Sequence, residues 1–205
     1  MNLGNETKGK IMTSKFSAFS TERLRLSDFT QADLKAFVSY RNDSEVARYQ
    51  SWISYDMAQG EAFFAAQQAL DLNQNGSWYQ IAIADLASDQ LLGDCAIHFV
   101  DDEADAPNAA SGKGLVEIGF TLASENQGKG FAGEAITALL DFIFNTLNKR
   151  RVIAVTDVLN AGSIGLLESQ GFRREAHLVE NSLFKGGWGS EYFYGLLKRE
   201  YSPKG

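Results

Sequence analysis

The chain has 205 residues, 44% of them hydrophobic and 22% charged, with a formal net charge of −7. That length and balance suit one soluble globular domain with a full core of its own. Against the acidic total stands only the short basic cluster Lys149, Arg150, Arg151, which argues against nucleic acid as a partner and favours cationic ligands. No stretch approaches the ~18 apolar residues of a membrane span. The single cysteine, Cys95, lies in an apolar run, which excludes a disulfide framework within the chain and suits a cytoplasmic setting.

The first residues, to about Ser20, are polar and are expected to fray as a flexible N-terminal segment. A single domain is expected over 21–201, with 202–205 as a tail. "TERLRLSDF" alternates, Leu24 and Leu26 to one side and Arg23 and Arg25 to the other, which predicts a half-buried strand. Thr30 can cap a helix carrying Leu34, Phe37 and Val38. A short helical turn follows, then a helix from Asp56 with Met57, Phe63, Phe64 and Leu70 on one face. "WYQIAIAD" and "QLLGDCAIHFV" read as a hairpin joined by "LASD". Residues 101–114 are expected to form a long loop, acidic at 101–105 and therefore either solvated surface or a lip that attracts cations.

"LVEIGFTL", Leu115 to Leu122, is a strand, and "FAGEAITALLDFIFNTL" a helix apolar nearly all round. "RVIAVTD", 151–157, is another strand. "NAGSIGLLESQGF" is a helix with Asn160 as N-cap, Gly171 as its left-handed end and Phe172 packing back. Two strands close the chain, within Phe172–Leu183 and Trp188–Leu197. The order β-α-α-β-β-β-α-β-α-β-β predicts an α/β (α+β) mixed sheet with helices on both faces.

Between Leu122 and the apolar helix lies "SENQGKGFAGEA", with glycines at 128, 130 and 133. G-x-G-x-x-G can mark a dinucleotide turn, and Asp157 could serve as its ribose ligand. Three features oppose that reading. The glycines follow a hairpin-rich half, Ala123 to Gln127 separate them from their strand, and too little chain follows for a second mononucleotide half. A Walker A loop is excluded because Glu134 stands where lysine is required. Phosphate is the expected ligand, the alternative being a glycine-rich helix start that holds none. The glycines allow close backbone approach, and their N–H groups open a long helix at its positive end, with Lys129 adding a cation.

"QGKGFA", Gln127 to Ala132, resembles the Q/R-x-x-G-x-G/A signature of the GNAT N-acetyltransferases. "TERLRL", "VEIGFTL", "NAGSIGLLESQGFRREA" and "YFYGLLKREY" are similar to the RimJ/RimL-type branch, over Thr21 to Tyr201. The resemblance implies the GNAT acyl-CoA N-acyltransferase fold, a mostly antiparallel sheet splayed between 115–122 and 151–157. It implies acetyl-CoA as cofactor. Its pyrophosphate would lie on Gln127, Gly128, Lys129, Gly130, Phe131, Ala132 and Gly133, and its pantetheine along Phe120, Thr121 and Leu122. It implies direct transfer to an amine, a protein N-terminus or a small molecule, by a monomer or homodimer. A non-catalytic acyl-CoA-binding module and a dinucleotide oxidoreductase are the alternatives.

Direct transfer needs no protein nucleophile, and the sequence offers no G-x-S-x-G elbow and no metal motif. Glu117, interrupting the apolar strand, is the candidate general base, with Glu180 or water in reserve. The resemblance makes Ser163 the thiolate proton donor and has Asn160 hold pantetheine or order the loop. Both could instead act only as helix caps. Tyr49, Trp52, Trp188 and Tyr192 lie in segments that border the acceptor cleft of similar proteins. His98 reads as structural, His177 as exposed, and Glu134 as a helix-start charge. The acidic 101–105 segment and Gln127 depart from the RimJ/RimL pattern and leave the acceptor open.

Overall fold

The computed structural model describes residues 15–100 and 114–202. Residues 1–14, the acidic stretch 101–105 with its loop to 113, and 203–205 lie outside the described residues.

One eight-stranded mixed sheet runs in the order β1-β2-β3-β4-β5-β6-β8-β7. Its strands are β1 (Phe19–Ser20), β2 (Leu24–Ser27), β3 (Trp78–Asp85), β4 (Leu91–Phe99), β5 (Leu115–Leu122), β6 (Arg151–Asp157), β7 (Arg173–Phe184) and β8 (Gly187–Leu197). All neighbours are antiparallel except β5 and β6. A doubly wound sheet needs parallel βαβ units in series, so the dinucleotide reading lacks its scaffold. The fray expected up to Ser20 does not hold from residue 15 onward. Phe16 is buried and packs edge-on against Phe142, and Phe19–Ser20 adds a strand beside β2. Two phenylalanines within a polar context had enough apolar area to anchor the segment.

The helices divide between the faces. On one side lie α1 (Leu34–Arg41), α2 (Ser44–Ala47) and α3 (Met57–Ala69). Asp56 and Gln59 cap α3 reciprocally, each side chain accepting the other's backbone N–H at 2.8 Å. Phe63 and Phe64 pack inward, whereas Met57, expected on the same face, is exposed. The layer is tied to the sheet by Asp94 on β4, which is buried. It accepts from the Tyr40 hydroxyl, from Gln80 Nε2 at 2.6 Å and from Arg41 Nη2 at 3.4 Å. A buried carboxylate is tolerable only with such partners. Burial, and then Asp94, push the Tyr40 hydroxyl well above its ordinary pKa.

On the other face lies α4 (Phe131–Asp141), extended by a π-turn, Phe142–Thr146. Ala135, Ile136, Leu139 and Leu140 are fully buried against Ile81, Ile97 and Val116. This helix is not buried all round as expected: Asp141 and Asn145 face solvent and bond to each other. The last helix, α5 (Ala161–Ser169), ends as its sequence dictates. Gly171 is left-handed (φ 87°), and the buried Phe172 returns its N–H to Leu167 O. Burial pushes the free Cys95 thiol far up, leaving it inert. No helix among the described residues is long and apolar enough to cross a membrane.

Candidate active site

The site begins where the sheet comes apart. β5 and β6 pair at only Leu115–Arg151, Val116–Val152 and Glu117–Ile153. Beyond those three pairs the strands diverge, so the edge of β5 from Ile118 to Leu122 meets no strand on that side. Its remaining edge groups need partners from elsewhere. The splay expected between 115–122 and 151–157 is therefore present.

At the wide end sits the glycine loop. Gly128 (φ 71°) and Gly130 (φ 83°) are left-handed, a conformation costly for other residues. Gly130 is the N-cap of α4, and no side chain caps that helix. Its first-turn N–H groups thus face the cleft uncapped, at the positive end of the dipole. Three contacts fix the loop. Gln127 Nε2 donates to Leu122 O at 3.0 Å, Arg23 Nη1 donates to Lys129 O at 3.1 Å, and the Arg23 guanidinium lies 4.6 Å from the centre of the Phe131 ring. Arg23 is in turn held by Glu134, which accepts from its Nε at 2.7 Å, from its backbone N–H at 2.8 Å and from the Thr21 hydroxyl. Burial alone would raise the Glu134 carboxyl, but these donors outweigh it and hold it below its ordinary value. Glu134 is thus an anchor between β2 and α4.

Facing this loop is the start of α5. Asn160 caps it, its Oδ1 accepting from Ser163 N–H at 3.1 Å. The capping role is therefore filled by Asn160, and the Ser163 hydroxyl has no hydrogen-bond partner among the described residues. A hydroxyl free of the helix it opens is available to a ligand.

Two adjoining spaces lie between these elements. The larger, about 700 Å³, is lined by Gln127, Gly128, Gly130, Phe131, Ala132 and Gly133, by Phe120, Thr121 and Leu122, and by Asn160 and Ser163. The smaller, about 170 Å³, lies within the splay between Ile118–Phe120 and Ala154–Asp157, floored by Ser182, Phe184 and Glu191. Tyr49, Gln50, Phe120, Asn160 and Ser163 line both. Tyr49 spans the opening, its hydroxyl donating to Leu159 O at 3.1 Å. Lys185, at the tip of the β7–β8 hairpin, donates to Ala47 O at 2.5 Å and ties that tip to α2. The size of the larger space and the uncapped N–H groups beside it suit a phosphate-bearing ligand, so the residues present fit coenzyme A.

Of the expected acceptor-side aromatics, only Tyr49 reaches these spaces. Trp52 instead stacks 4.0 Å from the Arg41 guanidinium and donates to Arg41 O, inside the helical layer. Tyr192 lies under Arg174 at 3.9 Å, and Trp188 is exposed. Alternation explains both: Glu191 faces the cavity, so Tyr192 and Trp188 point to the opposite side of β8. Lys129 is exposed beside the loop and lines neither space. Glu117 does not line the cavity; its Oε2 lies 3.4 Å from His98 Nδ1, and His98 stacks on Trp78. Glu180 is exposed in a bulge with φ 49°, and His177 is exposed against Tyr192. Sequence reasoning missed Gln50, Ser182, Phe184 and Glu191 as cavity residues, and it considered Asp157 only as a ribose ligand. Strand alternation about Asp157 was the available signal; the pairing of Asp157 with Glu191 was not.

A mixed sheet parted beside its one parallel pair, with an uncapped glycine-rich helix start at the opening, is the architecture of an acyl-CoA-dependent transferase. The comparisons agree. Residues 23–173 match the family model described as an acetyltransferase (GNAT) domain. An uncharacterised N-acetyltransferase of Bacillus licheniformis, p20, is 33% identical over 183 residues, 89% of this chain and 97% of that protein. The spermidine N(1)-acetyltransferase of Vibrio cholerae is 34% identical over 85 residues, 42% of this chain and 49% of that protein. Mycobacterium smegmatis RimJ, solved in complex with CoA-disulfide, has the same fold, with a TM-score of 0.72 at 19% identity over 86% of this chain and 83% of that one. The chain belongs to the GNAT acetyltransferase family, and its acetyl donor is acetyl-CoA.

Proposed function

We propose that the protein transfers acetyl directly from acetyl-CoA to a primary amine, both substrates being bound at once. The observation that carries this reading is the adjacency of the two spaces. A cleft that suits a nucleotide at Gln127–Gly133 shares Phe120 and Ser163 with a cavity that is walled by β5 and β6. The cofactor supplies the activated acetyl thioester. The chain supplies position and protons. The unpaired edge of β5 holds the pantetheine by backbone bonds and presents N–H groups to the carbonyl oxygen. The amine nitrogen bonds to the carbonyl carbon as the carbon–sulfur bond breaks. The nitrogen loses one proton, and the sulfur leaves as thiol after taking one. Ser163 lines both spaces, and its hydroxyl, which has no hydrogen-bond partner among the described residues, passes a proton to the sulfur while taking one from water. Glu117 lies two residues before Gly119 on the same face of β5 and receives the amine's proton through water, with His98 holding its carboxylate.

The acceptor is a small amine or a protein N-terminus; the relatives include an enzyme named for spermidine and a RimJ protein. The test follows thiol release from acetyl-CoA with a panel of small amines and N-terminal peptides. Acceptor-dependent release is expected. Stabilisation by acetyl-CoA without release to any acceptor would favour the non-catalytic module.

A further inference from the structure

The proposed transfer requires something to hold the rest of the acceptor while its nitrogen reacts. The small cavity within the splay is lined by Asp157 and Glu191, which are register partners on β6 and β8 and share one face of the sheet. Among the described residues, no lysine, arginine or histidine lines it. Each carboxylate is half engaged. Asp157 Oδ1 accepts from Leu159 N–H at 2.7 Å, and Glu191 Oε2 accepts from Asn181 Nδ2 at 2.7 Å. Among the described residues, the second oxygen of each has no hydrogen-bond partner. Neither carboxylate forms an ion pair there, although other acidic groups on the β6–β8 sheet do, Glu175 with both Arg151 and Arg173.

Two like charges facing each other across a strand pair are unfavourable unless a cation lies between or beside them. A partly enclosed wall raises that preference, because screening by water is reduced. The cavity also adjoins the residues that flank the proposed thioester position, Phe120, Asn160 and Ser163. Ser182 and the ring of Phe184 complete its floor, from the inward face of the β7–β8 hairpin.

We infer that Asp157 and Glu191 are specificity-determining residues that seat a second positive charge of the acceptor, so that the enzyme prefers short amines carrying a cation at their far end. This rests on the acyl-transfer reading above. The pair takes no proton in the reaction. It binds the non-reacting ammonium while the other nitrogen forms the amide bond. An acceptor with a neutral tail lacks that hold, and one with an anionic tail is repelled.

Three amines of matched length separate these cases: butylamine, 1,4-diaminobutane and 4-aminobutyrate. The expected order of kcat/KM is the diamine at least tenfold above butylamine, with the amino acid lowest. Asp157→Asn and Glu191→Gln keep the hydrogen bonds to Leu159 and Asn181 while removing charge. Each is expected to raise KM for the diamine with kcat nearly unchanged, and the double variant to erase the preference over butylamine. A merely structural role would lower activity toward all three alike. The inference is overturned if wild type treats the diamine and butylamine equally, if the double variant retains the preference, or if transfer occurs to peptides but to none of the three. The last outcome leaves the acyl-transfer reading intact. Absence of transfer to every amine and peptide overturns both.

Discussion

At the scale of single residues, groups that hold the site differ from groups proposed to act in it. Ser163 is in the second class of the proposed mechanism. Ser163→Ala keeps its backbone N–H, and hence the Asn160 cap. We expect kcat to fall roughly 10²-fold, within the usual range for one acid–base assist, with coenzyme A affinity unchanged by calorimetry; an unchanged kcat would assign the sulfur's proton to another donor. Glu134 is in the first class. Its pKa is lowered in the fold, so its contribution is complete above its ordinary value of 4.5 and is lost as pH falls through the lower folded value. Glu134→Gln should therefore cost about 1 kcal/mol at neutral pH, the scale of a partly exposed ion pair. The urea midpoints of variant and wild type should draw together as pH falls below that folded value. Such residues were unevenly legible. Asn160 and Gly171 declare themselves through cap chemistry. The distinction between Glu191 and its neighbour Tyr192 depends on which face of β8 turns inward, and no residue type reveals that.

At the scale of elements, the glycine loop is both the most readable feature and the hardest to probe cleanly. Gly130 has φ 83°, and a Cβ there would stand 3.3 Å from Arg23 Nη2. Any substitution at Gly130 thus mixes strain with ligand loss, and Gly130→Ala should lower stability by about 1–2 kcal/mol even without ligand. Gly133 is the better position. A Cβ there meets only Gln170 Nε2 at 3.8 Å and Leu166 Cδ1 at 3.9 Å, ordinary contacts. Gly133→Glu lines the cleft with a negative charge. It should weaken coenzyme A binding at least tenfold while the melting temperature without ligand stays within a few degrees; undiminished binding would move the diphosphate elsewhere. Strand and helix order was legible because alternation and caps are local. The first strand was not, since two residues carry no period, and its place depends on Phe16 and Phe19 packing against Phe142. The fate of Trp52 was hidden for a similar reason: its partner Arg41 belongs to a separate helix.

At the scale of the whole molecule, the roof over the splay is attached by few bonds. Lys185 to Ala47 joins the hairpin tip to α2, and Tyr49 to Leu159 joins the turn after α2 to the approach of α5. Lys185→Ala should raise KM for the acceptor more than for acetyl-CoA, because the hairpin floors the small cavity rather than the nucleotide cleft; equal changes would show that the roof serves both. The overall chain path could be foreseen from element order, yet the roof could not, since it brings together segments more than a hundred positions apart. The brief parallel seam, Leu115–Arg151 to Glu117–Ile153, has a consequence of its own. The five strands before it and the three after it are zipped together over only three residue pairs, so a donor lying in the gap as proposed would supply the missing rungs. Amide protons along the two bared margins should therefore exchange soonest in the empty protein and slow most sharply once acetyl-CoA is added, which makes the enzyme's cohesion and its saturation with donor one and the same titration.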